Sequence, residues 1–230
     1  GQALGIDNCY LIDSTINSGS DAIGTWFLYD NSKTIKNLTI SNLTISSGGN
    51  GIHLTATGNI ENIIADRLYM VASGYGFDIK KVDNITLKNS IIESTNDGLY
   101  ISGANNVEKI FLQNTTIKSS NNRGLYIEQS TVSNITAYNS TIDTTKSSIY
   151  LEDSTVSDFT LENNTSLISS SGYGLYINTN VNNITLKNSI INSTSNKGVY
   201  IIGANNVEKI FLQNTTIESG SNYGLHIEES

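Results

Sequence analysis

The 230-residue chain contains no proline. Proline cannot donate to a strand ladder and is confined to sheet edges and bulges, so its absence suits a fold in which nearly every strand is paired on both sides. Arginine is scarce: only Arg67 and Arg123 are present, no basic run exists, and the formal net charge is -8. A surface of that sign repels phosphate backbones and anionic lipid, which excludes nucleic acid and membrane as partners of this segment. The single Cys9 can form no internal disulfide and leaves the redox compartment open. No apolar run is long enough to insert into a bilayer, and no secretory leader stands at Gly1. Calcium-binding nonapeptides, EF-hand loops and clusters of Cys or His are also missing, so no metal and no cofactor is expected.

What the chain does have is repetition. Gly103 to Ile117, GANNVEKIFLQNTTI, returns letter for letter at Gly203 to Ile217. Inside that 100-residue period the pattern V-x-x-I-x-L-x-N-(S/T)-x-I-x-S recurs about every 25 residues, in the range where a repeat means a solenoid or an array. Apolar residues are few, yet they fall in columns, which argues for order despite the abundance of Asn, Ser, Thr and Gly. One column is polar: Asp13, Asn42, Arg67, Asn89, Asn114, Asn139, Asn163 or Asn164, Asn188 and Asn214. Three residues later comes an apolar column, from Ile16 through Ile92 and Ile117 to Ile217, and two residues further a column of Ser, Thr and Ala. Each turn also carries a G-(L/I/V)-Y-(I/L) unit, as at Gly98 to Ile101 and Gly174 to Ile177.

These segments are short, alternate with period two and are bounded by Asn, Gly and Ser, so each reads as a strand. Three strands in about 25 residues is the plan of a right-handed parallel β-helix; a leucine-rich repeat would need a helical segment that is absent. The expectation is therefore an all-β solenoid of about nine turns forming one domain over residues 1–230. Residues 1–35 form an irregular first turn with an inserted loop carrying Trp26, and residues 84–182 and 183–230 are related by a four-turn duplication. Because the chain starts abruptly at Gly1 and stops just after the strand GLHIEE, it reads as a piece of something longer.

The NITLxNSxI and GLYI units resemble the right-handed β-helix repeats of the pectin-lyase-like superfamily. The near-identical, Asn- and Thr-rich duplications are similar, more specifically, to the adhesin-like surface proteins of methanogenic archaea and some bacteria. That resemblance implies the fold over nearly the whole chain. It leaves activity open, since the superfamily spans lyases, hydrolases, epimerases, phage tailspikes and non-catalytic surface proteins.

Several columns are candidates for chemistry. Stacked Asn side chains can hydrogen-bond along the axis, satisfying amides expected to be buried at a corner. Between the inward residues of each GLYI strand an outward position holds Tyr100, Tyr126, Tyr150, Tyr176, Tyr200 and then His226. Such a row of exposed rings would offer a flat surface to a glycan or another protein; the plain alternative is that the rings stack on one another. Toward the N-terminus the same column continues as His53 and Asp78, the smallest pair able to do acid–base work. The outward Thr86, Thr136, Thr160 and Thr185 are interrupted by Phe111 and Phe211, which argues against a flat ice-binding face. Among many N-x-(S/T) sites, Asn84, Asn134 and Asn183 stand outward before a strand and are the better glycosylation acceptors, those at the Asn corner being expected to be buried.

The sequence thus points to a non-catalytic extracellular β-helix, a segment of a cell-surface stalk, adhesin or fibre. Its expected partners are glycans or host and cell-surface molecules, with end-to-end or lateral self-association at open sheet edges. The alternative is a carbohydrate-active enzyme or phage-type tailspike, with its groove near His53, Asp78 and the Trp26 loop.

Overall fold

The structure is a computed structural model that describes residues 6–24, 34–55, 59–104, 106–202, 207–221 and 223–228. Within them the chain forms 22 strands and no helix. Every strand pairing is parallel, and each residue sits beside its equivalent one turn later. One inward column runs Leu38, Ile63, Ile85, Ile110, Ile135, Phe159, Ile184 and Ile210 through successive pairings. From Leu38 to Ile184 these side chains are at most 4% exposed. The alternation in the sequence has become a single apolar core enclosed by stacked rungs.

A typical turn, such as Val82–Lys88, Ile91–Ser94 and Leu99–Ser102, contains the three expected strands. Two of its three corners are made by single residues in the left-handed region. The polar column supplies the first: Asp13, Asn42, Arg67, Asn89, Asn114, Asn139, Asn163, Asn188 and Asn214 all have φ between 45° and 54°, and Asn164 has 63°. Asn tolerates this backbone better than other residues with a Cβ, which is the first reason for the column. Lys81, Gly103, Gln129 and Asp153 make the second corner in the same way. Nine first corners are stacked from Asp13 to Asn214, and they enclose about eight full turns.

The axial amide ladder is present. Asn114 Nδ2 donates to Asn89 Oδ1 at 3.0 Å, Asn139 to Asn114 at 2.9 Å, Asn214 to Asn188 at 3.2 Å, and Asn42 to Asp13 at 2.8 Å. The expectation that these side chains are buried is wrong: Asn42, Asn89, Asn114, Asn139, Asn188 and Asn214 are all exposed. A corner in the left-handed conformation directs its side chain away from the core, so the ladder lies on the surface.

The Ser and Thr column closes the third corner from inside. Ser119 Oγ donates to the Asn96 carbonyl at 2.7 Å, Ser169 to Lys146 at 2.5 Å and Ser193 to Gly172 at 2.6 Å, each reaching back one turn. These hydroxyls are at most 3% exposed, and their bonds satisfy loop carbonyls that no strand can serve.

The two identical copies differ in burial. Leu112 is 1% exposed and stacked between Leu87 and Ala137, whereas Leu212, in the last turn, has Leu186 on one side and is 43% exposed. The same letters become core or surface according to the next rung.

Candidate functional site

Because each GLYI strand pairs in register with the next, its outward position forms one row. His53 lies beside Asp78, Asp78 beside Tyr100, and Tyr126, Tyr150, Tyr176, Tyr200 and His226 follow turn by turn. This register is the one read from the sequence. The environment is different from the exposed platform expected, since Tyr126 is only 8% and Tyr200 9% exposed. The cover comes in five of the turns from the residue three positions earlier, Tyr75, Arg123, Tyr173, Lys197 and Tyr223, while Asp97 and Ser147 hold that place before Tyr100 and Tyr150. These were missed in the sequence because they vary in type, although their fixed place before the Gly was a visible signal.

The rings form a continuous row of contacts, most of them stacked, with Tyr126 and Tyr150 meeting edge to face and Tyr173 tilted against Tyr200. Centroid distances are 5.4 Å for Tyr75 to Tyr100, 5.1 Å for Tyr100 to Tyr126, 5.5 Å for Tyr126 to Tyr150 and 4.3 Å for Tyr150 to Tyr176. Tyr173 bridges Tyr176 at 5.0 Å and Tyr200 at 5.3 Å, and His226 lies 5.1 Å from Tyr200 and 4.6 Å from Tyr223. Cations are laid on the faces: the Arg123 guanidinium is 3.9 Å from the Tyr126 centroid and 4.3 Å from Tyr150, and Lys197 Nζ is 3.4 Å from Tyr200.

Three of the hydroxyls point at carboxylates. Tyr100 donates to Glu128, Tyr126 lies between Glu128 and Glu152, 3.0 Å from the latter, and Tyr200 donates to Glu228 at 2.6 Å. Burial first, and then these carboxylates, push the Tyr100 and Tyr126 phenols well above the usual range. For Tyr200 the bond to Glu228 is the main cause, and its phenol is pushed up to about 12. The seam thus favours the protonated phenol at Tyr100, Tyr126 and Tyr200 and leaves its rings in contact with one another.

At the N-terminal end the row changes character. His53 Nδ1 sits 2.8 Å from Asp21 Oδ2 and Nε2 3.5 Å from Asp78 Oδ2, so the imidazole is held between two carboxylates from the turns on either side. Asn50 Nδ2 and Thr55 Oγ1 also lie against it at 3.1 and 3.0 Å. All three ionisable side chains are largely buried, with 18%, 15% and 13% exposed for His53, Asp21 and Asp78. Burial raises the Asp78 carboxyl above its ordinary range against the opposing pull of His53. Asp21 was missed because it belongs to the irregular first turn, where the repeat gives no register. Trp26 and the loop expected around it lie outside the described residues. Among the described residues no group of three or more His, Cys, Asp or Glu is arranged to hold a metal ion.

The three preferred glycosylation candidates share a column of the first strand, Asn84, Lys109, Asn134, Asp158 and Asn183. Asn134 is exposed and Asn84 and Asn183 are half-buried; their amides donate to the Glu108 carbonyl, the Glu108 carboxylate and Asp158 respectively. A separate shallow groove of about 440 Å³ runs along the second strand face past Val71, Glu93, Lys118, Asp143 and Thr145, with Lys118 and Glu93 paired at 3.2 Å.

A family model described as a right-handed β-helix region matches residues 26–177 and again 98–230. The chain belongs to the right-handed β-helix family. No curated protein and no solved structure matches it. The right-handed β-helix family includes pectate lyases and hydrolases, so membership fixes the backbone and leaves the chemistry to outward side chains. In this β-helix those are the Tyr–Glu seam, the Asp21–His53–Asp78 cluster and the hydroxyl-lined groove.

Proposed function

We propose that this β-helix is a non-catalytic segment of an extracellular stalk, adhesin or fibre, of the kind its sequence resembles in adhesin-like surface proteins. The observation that carries this reading is the parallel register: equivalent residues pair turn after turn between Ile6 and Glu228, with a one-residue shift between Glu152 and Thr155, so each added rung extends the body by one strand spacing of about 4.8 Å without altering the rest. An exposed corner ladder and a ring stack reinforce the same axis from outside. Both are suited to holding a fixed reach, and the groove past Glu93 and Lys118 is the better free surface for a glycan, since the tyrosine faces are occupied by one another. Antibodies against the folded chain should label intact cells of the source organism, and the chain should retain members of a glycan array. A protein confined to the cell interior would overturn the proposal, and a blank array would remove its adhesive half.

A second reading rests on one specific arrangement. His53 between Asp21 and Asp78 is placed to pass a proton between two carboxylates, as a carbohydrate-active enzyme or tailspike would require. Release of reducing ends or unsaturated sugars from acidic polysaccharides, abolished by His53→Ala with the fold intact, would favour this reading over the first.

A further inference from the structure

The tyrosine seam has more order than a glycan platform or a packing device requires. Eight tyrosines, from Tyr75 to Tyr223, form one connected row of ring contacts, stacked, tilted or edge to face, in which successive centroids, with His226 joining the last pair, are 4.3 to 5.5 Å apart. Tyr100, Tyr126 and Tyr200 each point their hydroxyl at a carboxylate of Glu128, Glu152 or Glu228. Stacking alone needs no carboxylate, and three phenols aimed at the half-buried Glu128 and Glu152 and at the exposed Glu228 are more than ring packing calls for. The combination fits a different chemistry. Tyrosine is readily oxidised by one electron, but only when something takes its phenolic proton, because the cation radical left otherwise is very acidic.

We propose that this seam is a hole conduit that carries oxidising equivalents along the β-helix axis by proton-coupled tyrosine oxidation. A one-electron oxidant of the peroxyl-radical class takes an electron from one ring and becomes its anion. The phenolic proton passes to the hydrogen-bonded carboxylate, and a neutral phenoxyl remains. That phenoxyl then takes an electron from the neighbouring phenol and recovers its proton, while the neighbour hands its own proton to its hydrogen-bonded carboxylate at Tyr100, Tyr126 and Tyr200, across the shared hydrogen bond between Tyr150 and Tyr176, and to solvent at the remaining rings. Between like side chains each exchange is nearly isoenergetic, and contact between rings keeps every step short. Burial and the carboxylates favour the protonated form of Tyr100 and Tyr126, so oxidation there is coupled to proton loss. The covering residues serve the same end, since Arg123 spans Tyr126 and Tyr150 and shields both from water. At Tyr223, which is 50% exposed, a one-electron reductant of the thiol or ascorbate class in solvent returns an electron and a proton to the phenoxyl, is itself oxidised by one electron, and ends the transfer.

From the turn of Tyr75 to that of Tyr223 are six rungs, about 29 Å at the strand spacing, which is too far for one tunnelling step. That distance makes the test decisive. With Cys9→Ser, the exposed Ser73→Cys, two residues from Tyr75, carries a ruthenium polypyridyl label. Flash oxidation of the label is followed by peptide mapping of oxidised tyrosines at several protein concentrations. The expected result is oxidation at Tyr223 with a yield per chain independent of concentration, and loss of that yield in the triple variant Tyr150→Phe, Tyr173→Phe, Tyr176→Phe. Glu128→Gln should lower the yield while leaving label oxidation unchanged. Oxidation confined to Tyr75 and Tyr100 in the labelled parent overturns the proposal without any further variant, as does an undiminished Tyr223 yield in the folded triple variant.

Discussion

The glycine of each G-(L/I/V)-Y unit faces the isoleucine column of the next strand layer, and the contact predicts a coupled substitution. A Cβ on Gly98 would lie 2.2 Å from Ile117 Cγ2, on Gly124 2.1 Å from Ile142 Cγ2, and on Gly174 2.3 Å from Ile191 Cγ2. One turn departs: Ser148 stands at the glycine position, fully buried, and the facing column residue there is Leu167, which has no methyl branch at Cβ. Ser for Gly and Leu for Ile thus occur together. Leu167→Ile alone should drive the new methyl against the Ser148 Cβ and destabilise the chain by about 1–3 kcal/mol, the usual cost of overpacking. Ser148→Gly alone loses the 2.8 Å bond from Oγ to the Ile168 carbonyl and leaves a small void, costing about 1 kcal/mol. The double variant recreates the pairing of Gly98 with Ile117, so its cost should fall below the sum of the two by about 1–2 kcal/mol, well outside the few tenths expected of independent sites. Urea unfolding followed by circular dichroism on all four proteins gives the cycle. Additive costs would refute the reasoning, because they would show that neither residue constrains the other.

Leu112→Ala, at a side chain only 1% exposed, should destabilise by about 2–5 kcal/mol, read from the shift in urea midpoint. At the corner, Asn114→Gly should be nearly neutral and Asn114→Ala should cost about 1–2 kcal/mol, since φ is 50° there and Ala can neither relax into it nor continue the amide ladder. The Asp97 carboxyl, 2% exposed, is held above its ordinary range by burial, against the N–H bond it accepts from Arg123 at 2.9 Å. The folded chain therefore binds more protons than the unfolded one in that window. Its contribution is largest below the ordinary carboxylate pKa and is lost as pH rises through the raised value. Asp97→Asn should remove that part of the slope of stability against pH, measured by urea midpoints across the acid range.

What the sequence made legible was whatever repeats with a fixed period and a fixed residue type. The strands, their parallel register and the alignment of His53 with Asp78 and Tyr100 follow from counting, because in a solenoid a column in the text is a column in space. Orientation at the corners was not legible by the same route. Alternation places a side chain in or out only while the backbone stays extended, and at Asn89 or Asn114 a positive φ interrupts it. The amides therefore emerge at the surface where pairing arguments had placed them inside. The seam was half legible for a related reason. Tyr126 and Tyr150 share a letter and stand out, whereas their cover is Tyr in some turns and Arg or Lys in others; what these residues share is a long side chain with a flat or cationic end to lie on a ring. A column can be fixed by shape and charge while its letter varies. In the N-terminal turns the repeat itself is irregular, which is why Asp21 was absent from the reading although it lies nearer to His53 than Asp78 does. Chemistry in this fold is therefore hardest to foresee where the period breaks, and that is also where an imidazole is found between two carboxylates.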